Sequence, residues 1–167
     1  MVYFSNYLMR PAYDQQVKEF EEKVIQVNRV SKKTKGGNRV SFAVLMAIGD
    51  RKGRVGVGLG KAAEVPSAVQ KATSRAKKNI ITVVSGGSIP HSVLVKEGAA
   101  QILFKPAPKG TGLIAGGPVR AILHLAGIRD VTAKILGTNN KASNIAATFK
   151  ALQSLRWKTG APGGKKI

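Results

Sequence analysis

One short segment restricts the fold more than any other: between Arg54 and Lys61, every second residue is glycine. Three apolar residues alternate with three glycines, namely Val55, Val57 and Leu59 with Gly56, Gly58 and Gly60. This is the period of a β-strand that carries side chains on one face only. Because glycine inside a strand marks a close approach of another backbone, we expect a second element to cover the bare face at short range.

The neighbouring segments supply partners for this strand. Before it, five apolar residues fall at period two and predict another strand: Val40, Phe42, Val44, Met46 and Ile48. Residues 49–53 predict the turn between the two strands, and residues 24–30 predict an earlier strand. After it, Pro66 suits the first position of a helix that runs to Asn79. Its stripe combines valine with small residues that suit a glycine face, namely Val65, Ala68, Val69, Ala72 and Ala76. The order is β-β-β-α.

The second half predicts a separate α+β unit. Residues 92–96, 101–105 and 131–136 are typical of short strands, and Gly117-Pro118 begins a helix that ends at Gly127. A last helix covers 141–155, with a predicted buried stripe of Ala142, Ile145, Phe149 and Leu152. The Gly/Ser cluster at 85–88 is the predicted linker. The domains expected are an extension at 1–20, a first domain at 21–84, a second at 85–156 and a basic tail at 157–167.

The charge of the chain predicts a polyanionic partner. Its 167 residues carry 28 Lys and Arg against 8 Asp and Glu, a net charge of +20 that opposes compactness unless it is neutralised. With 43% hydrophobic residues the chain can still bury a core. Nucleic acid is the expected partner, whereas 5% aromatic content disfavours a basic membrane-surface protein. No secretory signal or membrane-spanning run is evident, so a soluble protein is expected.

The residues of the chain do not combine into a catalytic, cofactor or metal site. Gly60-Lys61 is followed by alanine instead of Ser or Thr, so the glycine run does not match a phosphate-binding loop. His91 and His124 are the two histidines and lie in different elements, and the acidic residues lack metal-ligand spacing. Cysteine is absent. We therefore expect no enzyme, no cofactor and no metal. The rival enzyme reading would require nucleotide turnover that depends on Lys61.

A lysine-rich stretch at 31–38 is predicted to be a loop that projects from its flanking strands and binds RNA phosphates. The densest basic window runs from Arg29 to Lys61. A basic stripe on the first helix fits either RNA binding or the helix dipole. The predicted RNA-binding residues are Arg29, Lys32, Lys33, Lys35, Arg39, Arg51, Lys52, Arg54, Lys61, Lys71, Arg75 and Lys78. In the second half, His124 shares a helix face with Arg120, which indicates an exposed contact to phosphate or protein.

Several ordered strings resemble bacterial-type small-subunit ribosomal protein five. They include Val27-Asn28-Arg29-Val30-Ser31-Lys32, Gly53-Arg54-Val55-Gly56-Val57-Gly58 and Gly110-Thr111-Gly112-Leu113-Ile114-Ala115-Gly116-Gly117. The resemblance runs from about Glu21 to Leu155. It implies a first domain similar to the double-stranded-RNA-binding fold, then a C-terminal α+β domain of the family's own type. The family usually has Arg directly after the two glycines, whereas Asn38 precedes Arg39 here.

The resemblance also implies a function and partners. It implies a structural constituent of the small ribosomal subunit that binds its RNA at the junction of head and body and supports assembly and translational accuracy. Partners would be ribosomal proteins four and eight, with messenger RNA nearby at the entry channel. Gly112 and Arg120 would lie near the contact with protein four, and His124 is added to this protein-contact set. A cytoplasmic ribosome is expected, with an organellar one left open. A free-standing RNA chaperone is the alternative function.

Overall fold

The computed structural model describes residues 19–83 and 87–156, and within them the chain forms two four-stranded sheets and three helices. The first half contains β1 (Glu21–Thr34), β2 (Gly37–Gly49), β3 (Arg54–Ala62), α1 (Val65–Lys78) and β4 (Ile80–Thr82). The second contains β5 (Val93–Glu97), β6 (Ala100–Pro106), β7 (Leu113–Ile114), α2 (Gly117–Ala126), β8 (Val131–Ile135) and α3 (Lys141–Ser154). The α+β class and the β-β-β-α order of the first half are confirmed.

The first sheet is antiparallel throughout and has the order β1-β2-β3-β4. Helix α1 lies on the glycine face of β3, as the alternation predicted. Ala68, Ala72 and Ala76 are fully buried, and their backbone occupies the space that a Cβ on Gly60, Gly58 or Gly56 would need. Helix and strand therefore approach more closely than any larger side chain on β3 would allow.

The second sheet has the order β5-β6-β8-β7, with β7 and β8 parallel and the other pairs antiparallel. Helix α2 connects the parallel pair. It ends at Gly127, whose φ of 81° is the left-handed conformation common after a helix. Helix α3 packs against β5, β6 and α2. The strands predicted at 92–96, 101–105 and 131–136 are confirmed to within two residues at each end.

The two halves share one hydrophobic core. Leu45, Ala47 and Val55 of the first sheet belong to the same buried cluster as Leu125 of α2 and Ile128. Both faces of the first sheet are thus buried in its centre, one by α1 and the other by the second half. Only one apolar face was predicted for β2, the face that carries Val44, Met46 and Ile48. Leu45 and Ala47 lie on the opposite face. Their burial was not predicted, because a strand with apolar residues on both faces has no alternation of apolar and polar residues.

Some predicted details differ in the structure. Short strands β4 and β7 were not predicted; they have three and two residues, too few for a periodic pattern. In α3, the predicted buried residue Ala142 is exposed, and Asn144 and Thr148 are buried in addition to Ile145 and Leu152. The buried hydroxyl of Thr148 is satisfied, because it donates to the Asn144 carbonyl oxygen at 2.7 Å.

The predicted linker and termini are described only in part. Ser85 and Gly86 lie outside the described residues, as do most of the predicted extension at 1–20 and the predicted tail at 157–167. Gly87 and Ser88 are tied to the second half: the Gly87 carbonyl accepts the backbone N–H groups of Arg129 and Asp130, each at 2.9 Å. The division at residue 84 remains a prediction. No helix among the described residues is long and apolar enough to cross a membrane.

Candidate nucleic-acid interface

A two-stranded ribbon projects from the first sheet. β1 and β2 pair without interruption from Arg29↔Phe42 to Thr34↔Gly37, whereas pairing of β2 with β3 begins only at Phe42↔Ala62. Beyond that pair the ribbon has no third strand and no covering helix, and residues 31–39 are all exposed. At about 3.4 Å per residue, the ribbon extends about 15 Å beyond the sheet. We call residues 29–41 the finger.

The finger was predicted as a loop, and this prediction is wrong. Residues 31–34 lie in β1 and 37–39 in β2, so the turn is reduced to Lys35 and Gly36. Gly37, with a φ of 125°, and the Thr34 hydroxyl, which donates to the Gly37 carbonyl oxygen at 2.8 Å, close this tight turn. The polar composition was misleading because a ribbon with two solvent-facing sides has no apolar alternation to indicate a strand.

The finger brings together five predicted RNA-binding residues: Arg29, Lys32, Lys33, Lys35 and Arg39. Lys32 pairs with Arg39 across the strands, so these two side chains share one face, and Lys33, paired with Asn38, lies on the other. None of the five has a carboxylate partner among the described residues. Their like charges stand close together and uncompensated, which favours a polyanion on the finger.

Lys61 and Lys71 lie at the base of the finger. Lys61 pairs with Ala43 of β2, one position inside the pair at which the ribbon begins. Lys71 lies in the turn of α1 that packs on Gly60, and both lysines are exposed. A phosphate backbone that follows the finger to the sheet would therefore meet further cations there.

Arg75 and Lys78 continue along α1, away from the finger. Arg75 donates from Nη1 to the Leu59 carbonyl oxygen at 2.6 Å, so part of its guanidinium is used to satisfy the backbone of β3. Lys78 lies in the last helical turn, where cations also favour the helix dipole. The basic stripe is thus compatible with RNA binding and with stabilisation of the helix dipole.

The remaining predicted RNA-binding residues lie at the opposite end of the sheet, in and after the β2–β3 turn. Arg51 forms a two-bonded pair with Glu21, at 2.6 and 2.9 Å, and its backbone N–H donates to the Leu125 carbonyl at 3.0 Å. Arg54 binds Asp50 at 2.7 Å and Glu19 at 3.1 Å, and its guanidinium lies 4.9 Å from the centre of the Phe20 ring. These two arginines hold the turn, while Lys52 is exposed.

Hydrogen bonds from Arg51 and Arg54 lower the pKa values of the carboxylates they bind, Glu21 and Asp50. The hydrogen bond from Arg51 holds the pKa of Glu21 below its ordinary value of 4.5. Burial acts to raise the pKa of Asp50, whose side chain is 6% exposed, but hydrogen bonds from the Arg54 side chain and from the N–H groups of Lys52 and Arg54 outweigh it. The pKa of Asp50 thus lies below 3.8.

The twelve predicted residues therefore do not form one site. Strand β2 connects the finger to the turn at Asp50 and has 13 residues, so the two ends lie roughly 40 Å apart along the strand. The structure groups the finger with Lys61 and Lys71, and it separates them from Arg51, Lys52 and Arg54. The finger is the part of this set with the most free cations.

The predicted protein-contact residues lie on and before α2. Arg120 and His124 are exposed one turn apart on this helix. Gly112, with a φ of 75°, precedes β7, and its backbone N–H donates to Asp130 Oδ1 at 2.9 Å. Asp130 also accepts the N–H of Gly110 at 3.1 Å and so fixes the loop that leads to α2. This role of Asp130 was not predicted, since the spacing of 18 residues between Gly112 and Asp130 carries no local signal.

The chain is similar to ribosomal proteins over both halves. Residues 20–84 match the family model described as ribosomal protein S5, N-terminal domain, and residues 95–158 match that of the C-terminal domain. The small ribosomal subunit protein uS5 of Thermotoga maritima is 50% identical over 141 residues, which cover 84% of this chain and 79% of the relative. The uS5 protein of Thermotoga neapolitana gives the same values. The predicted resemblance is confirmed, and the chain belongs to the ribosomal protein S5 family.

Proposed function

We propose that the finger anchors this chain to the RNA of the small ribosomal subunit at the junction of head and body. As a member of its family the chain is a non-enzymatic structural constituent of that subunit. The observation that carries the proposal is the finger: a projecting two-stranded ribbon with five cations that have no carboxylate partner among the described residues.

Binding follows from the physical chemistry of the finger. Each lysine or arginine that meets a phosphate releases condensed counterions, so affinity falls with a log-log salt slope of roughly −0.9 per phosphate on a duplex. The hairpin is held by main-chain bonds before RNA arrives, so little ordering entropy is lost on binding. Recognition then depends on RNA shape and 2′-hydroxyl groups more than on base identity.

The finer parts of the function are expected consequences of this anchoring. A ribbon fixed in the RNA would stabilise the junction during assembly and limit the motions that affect translational accuracy. The contact with ribosomal protein four would use the surface of Gly112, Arg120 and His124. Ribosomal protein eight is a second expected partner, and messenger RNA would lie close by at the entry channel. The ribosome concerned is expected to be cytoplasmic.

Directed RNA cleavage tests the placement of the finger. The chain has no cysteine, so a single Lys32→Cys substitution gives one attachment point for an iron chelate that cuts RNA nearby. In assembled small subunits, we expect cleavage of the RNA at the junction of head and body. A matched Lys52→Cys probe, at the other end of β2, should cut a different set of nucleotides. Cleavage elsewhere, or no cleavage from Lys32→Cys, would contradict the placement.

A further inference from the structure

One face of the second sheet is not covered by any described element. The inner face packs into the shared core through Ile102 and Phe104 of β6 and Val131 and Ala133 of β8. Helix α3, which contacts β5 and β6, lies on this inner side, since its Ile145 and Leu152 belong to the same core. The outer face carries the alternate residues of the same strands. We call this outer face the open sheet face.

The open sheet face is apolar in its centre. The strand register places Leu94 beside Leu103, and Leu103 beside Lys134, in one row across three strands. Leu136 continues the ladder, because its backbone N–H donates to the Gln101 carbonyl at 2.9 Å. Leu94 and Leu136 are each 57% exposed, and Ile114 of β7 is 49% exposed. A solvated sheet face normally carries polar residues, so these aliphatic side chains indicate a surface that is covered in use.

Lysines surround the apolar centre. Lys96 lies in the row of Gln101, Lys134 in the row of Leu94, and Lys105 in the row of Thr132 and Ile114. All three are exposed and have no ion-pair partner among the described residues. Glu97, the acidic residue of β5, lies on the opposite face of the strand from Leu94 and Lys96. It binds Lys150 of α3 at 2.6 Å. The face is therefore apolar at its centre and positive around it.

This pattern fits a protein better than RNA. The finger, with five cations and no large exposed aliphatic side chain from 31 to 39, shows what a phosphate-binding surface in this chain looks like. Aliphatic side chains gain nothing from phosphates, and the open sheet face has no aromatic ring among its described residues on which bases could stack. An apolar centre with a charged rim is the usual anatomy of a protein interface.

We infer that the open sheet face binds a neighbouring protein of the small subunit through an apolar patch edged with carboxylates. Leu94 and Leu103 fill the centre, and Lys96, Lys105 and Lys134 meet aspartate or glutamate at the rim. Complementary charge fixes the orientation of the partner, and the leucines supply most of the area removed from water. This inference rests on the proposed place of the chain in the small subunit but does not depend on the finger.

Lysine reactivity in purified small subunits tests whether the face is covered. The three lysines are acetylated in the free chain and in assembled subunits, and the rates at each lysine are compared. We expect reaction about tenfold slower in the subunit, because each amine would be held in an ion pair with a carboxylate of the partner and would be less available to the reagent. Equal rates in both states would overturn the inference. So would protection already present in the free chain, since the chain would then cover the face itself.

A zero-length carbodiimide crosslinker and one substitution identify the partner class. The reagent joins amines to carboxylates in contact, so Lys96 or Lys134 should become linked to an acidic residue of another protein. Leu94→Lys should weaken retention of the chain after a high-salt wash by about tenfold, because it places a charge in the apolar centre. An RNA partner would be held equally well or better by the added cation. Val24→Lys, at a 45% exposed position of β1, is the matched control.

The outcomes are distinct from those that test the proposed function. Crosslinks to RNA from these lysines, or unchanged retention of the Leu94→Lys chain, would overturn the protein interface while leaving the finger in place. Failure of the parent chain to sediment with small subunits would overturn both proposals. Carboxylate crosslinks together with weaker retention of Leu94→Lys and normal retention of Val24→Lys would support the interface.

Discussion

Gly58 of β3 lies so close to Ala72 of α1 that a Cβ on the glycine would overlap the alanine carbonyl oxygen. The same Cβ would stand 2.6 Å from the backbone nitrogen of Ala76, so no side-chain motion could relieve the overlap. The helix that covers the first sheet is thus positioned by the absence of side chains on one strand.

Gly58→Val should destabilise the protein strongly. Overpacking of a well-packed site costs typically about 1–3 kcal/mol, and here the obstructing atoms belong to the backbone, so the cost should reach the upper end. Thermal unfolding measures it. Gly36→Val is the matched control, because a Cβ at Gly36 has no heavy atom within 4 Å. A Gly58→Val variant that melts with its parent would show that this packing account is wrong.

Gly127→Ala should weaken the junction of the two halves. Gly127 has a φ of 81°, and its added Cβ would overlap the carbonyl oxygen of Arg51 in the β2–β3 turn. A left-handed alanine alone costs roughly 1–2 kcal/mol, and displacement of the turn adds to it. Because the halves share a core, we expect one calorimetric transition at a lower temperature.

Gly117→Ala, in the first turn of the same helix, serves as the control for this variant. Its Cβ has no heavy atom within 4 Å and its φ is not in the left-handed region. It should change stability by no more than about 0.5 kcal/mol. Two separate transitions in the parent protein would contradict the shared core.

Asp50→Asn should destabilise the protein in a pH-dependent manner. The folded-state pKa of Asp50 lies below its ordinary value of 3.8, so its charged form stabilises the fold above that pH, and this contribution is lost as the pH falls through the folded-state pKa. We expect a loss of about 1–2 kcal/mol at neutral pH from the weakened hydrogen bonds. The difference in the free energy of unfolding between parent and variant should narrow as the pH is lowered below 3.8.

Glu64→Gln controls for the removal of one negative charge. Glu64 is exposed, and its side chain makes no capping hydrogen bond to α1. The Glu64→Gln melting temperature should follow that of the parent at every pH. If the stability difference between the parent and Asp50→Asn were the same at neutral and at acidic pH, the carboxylate charge of Asp50 would not be what holds the turn.

Local patterns predicted the parts of the fold that have a strong period. The glycine alternation at 56, 58 and 60 identified β3 and its close cover, and alanines at spacing four identified the helix that supplies it. Gly127 predicted the end of α2 because a left-handed residue is required there. These features depend on residues near one another in sequence, so a single sequence reveals them.

Features that depend on distant pairing were not predictable. The finger is a strand pair because its main-chain bonds continue past Val30, although its side chains are those of a loop. The ion pairs of Arg51 with Glu21 and of Arg54 with Asp50 were not predicted, and the RNA contacts of these two arginines stay a prediction. The open sheet face emerges only when the register aligns Leu94 with Leu103 and Lys134.

The salt dependence of RNA binding by a finger variant tests the central claim most directly. The variant carries Lys32, Lys33 and Lys35 changed to alanine, and the control carries the same change at Lys77, Lys109 and Lys141. If each finger lysine neutralises one phosphate, the log-log salt slope for a transcript of the small-subunit RNA becomes less steep by about 3. The control should keep nearly the parent slope, and the melting temperature of the finger variant should stay close to that of the parent. An unchanged slope in the finger variant, or an equal change in the control, would contradict the account.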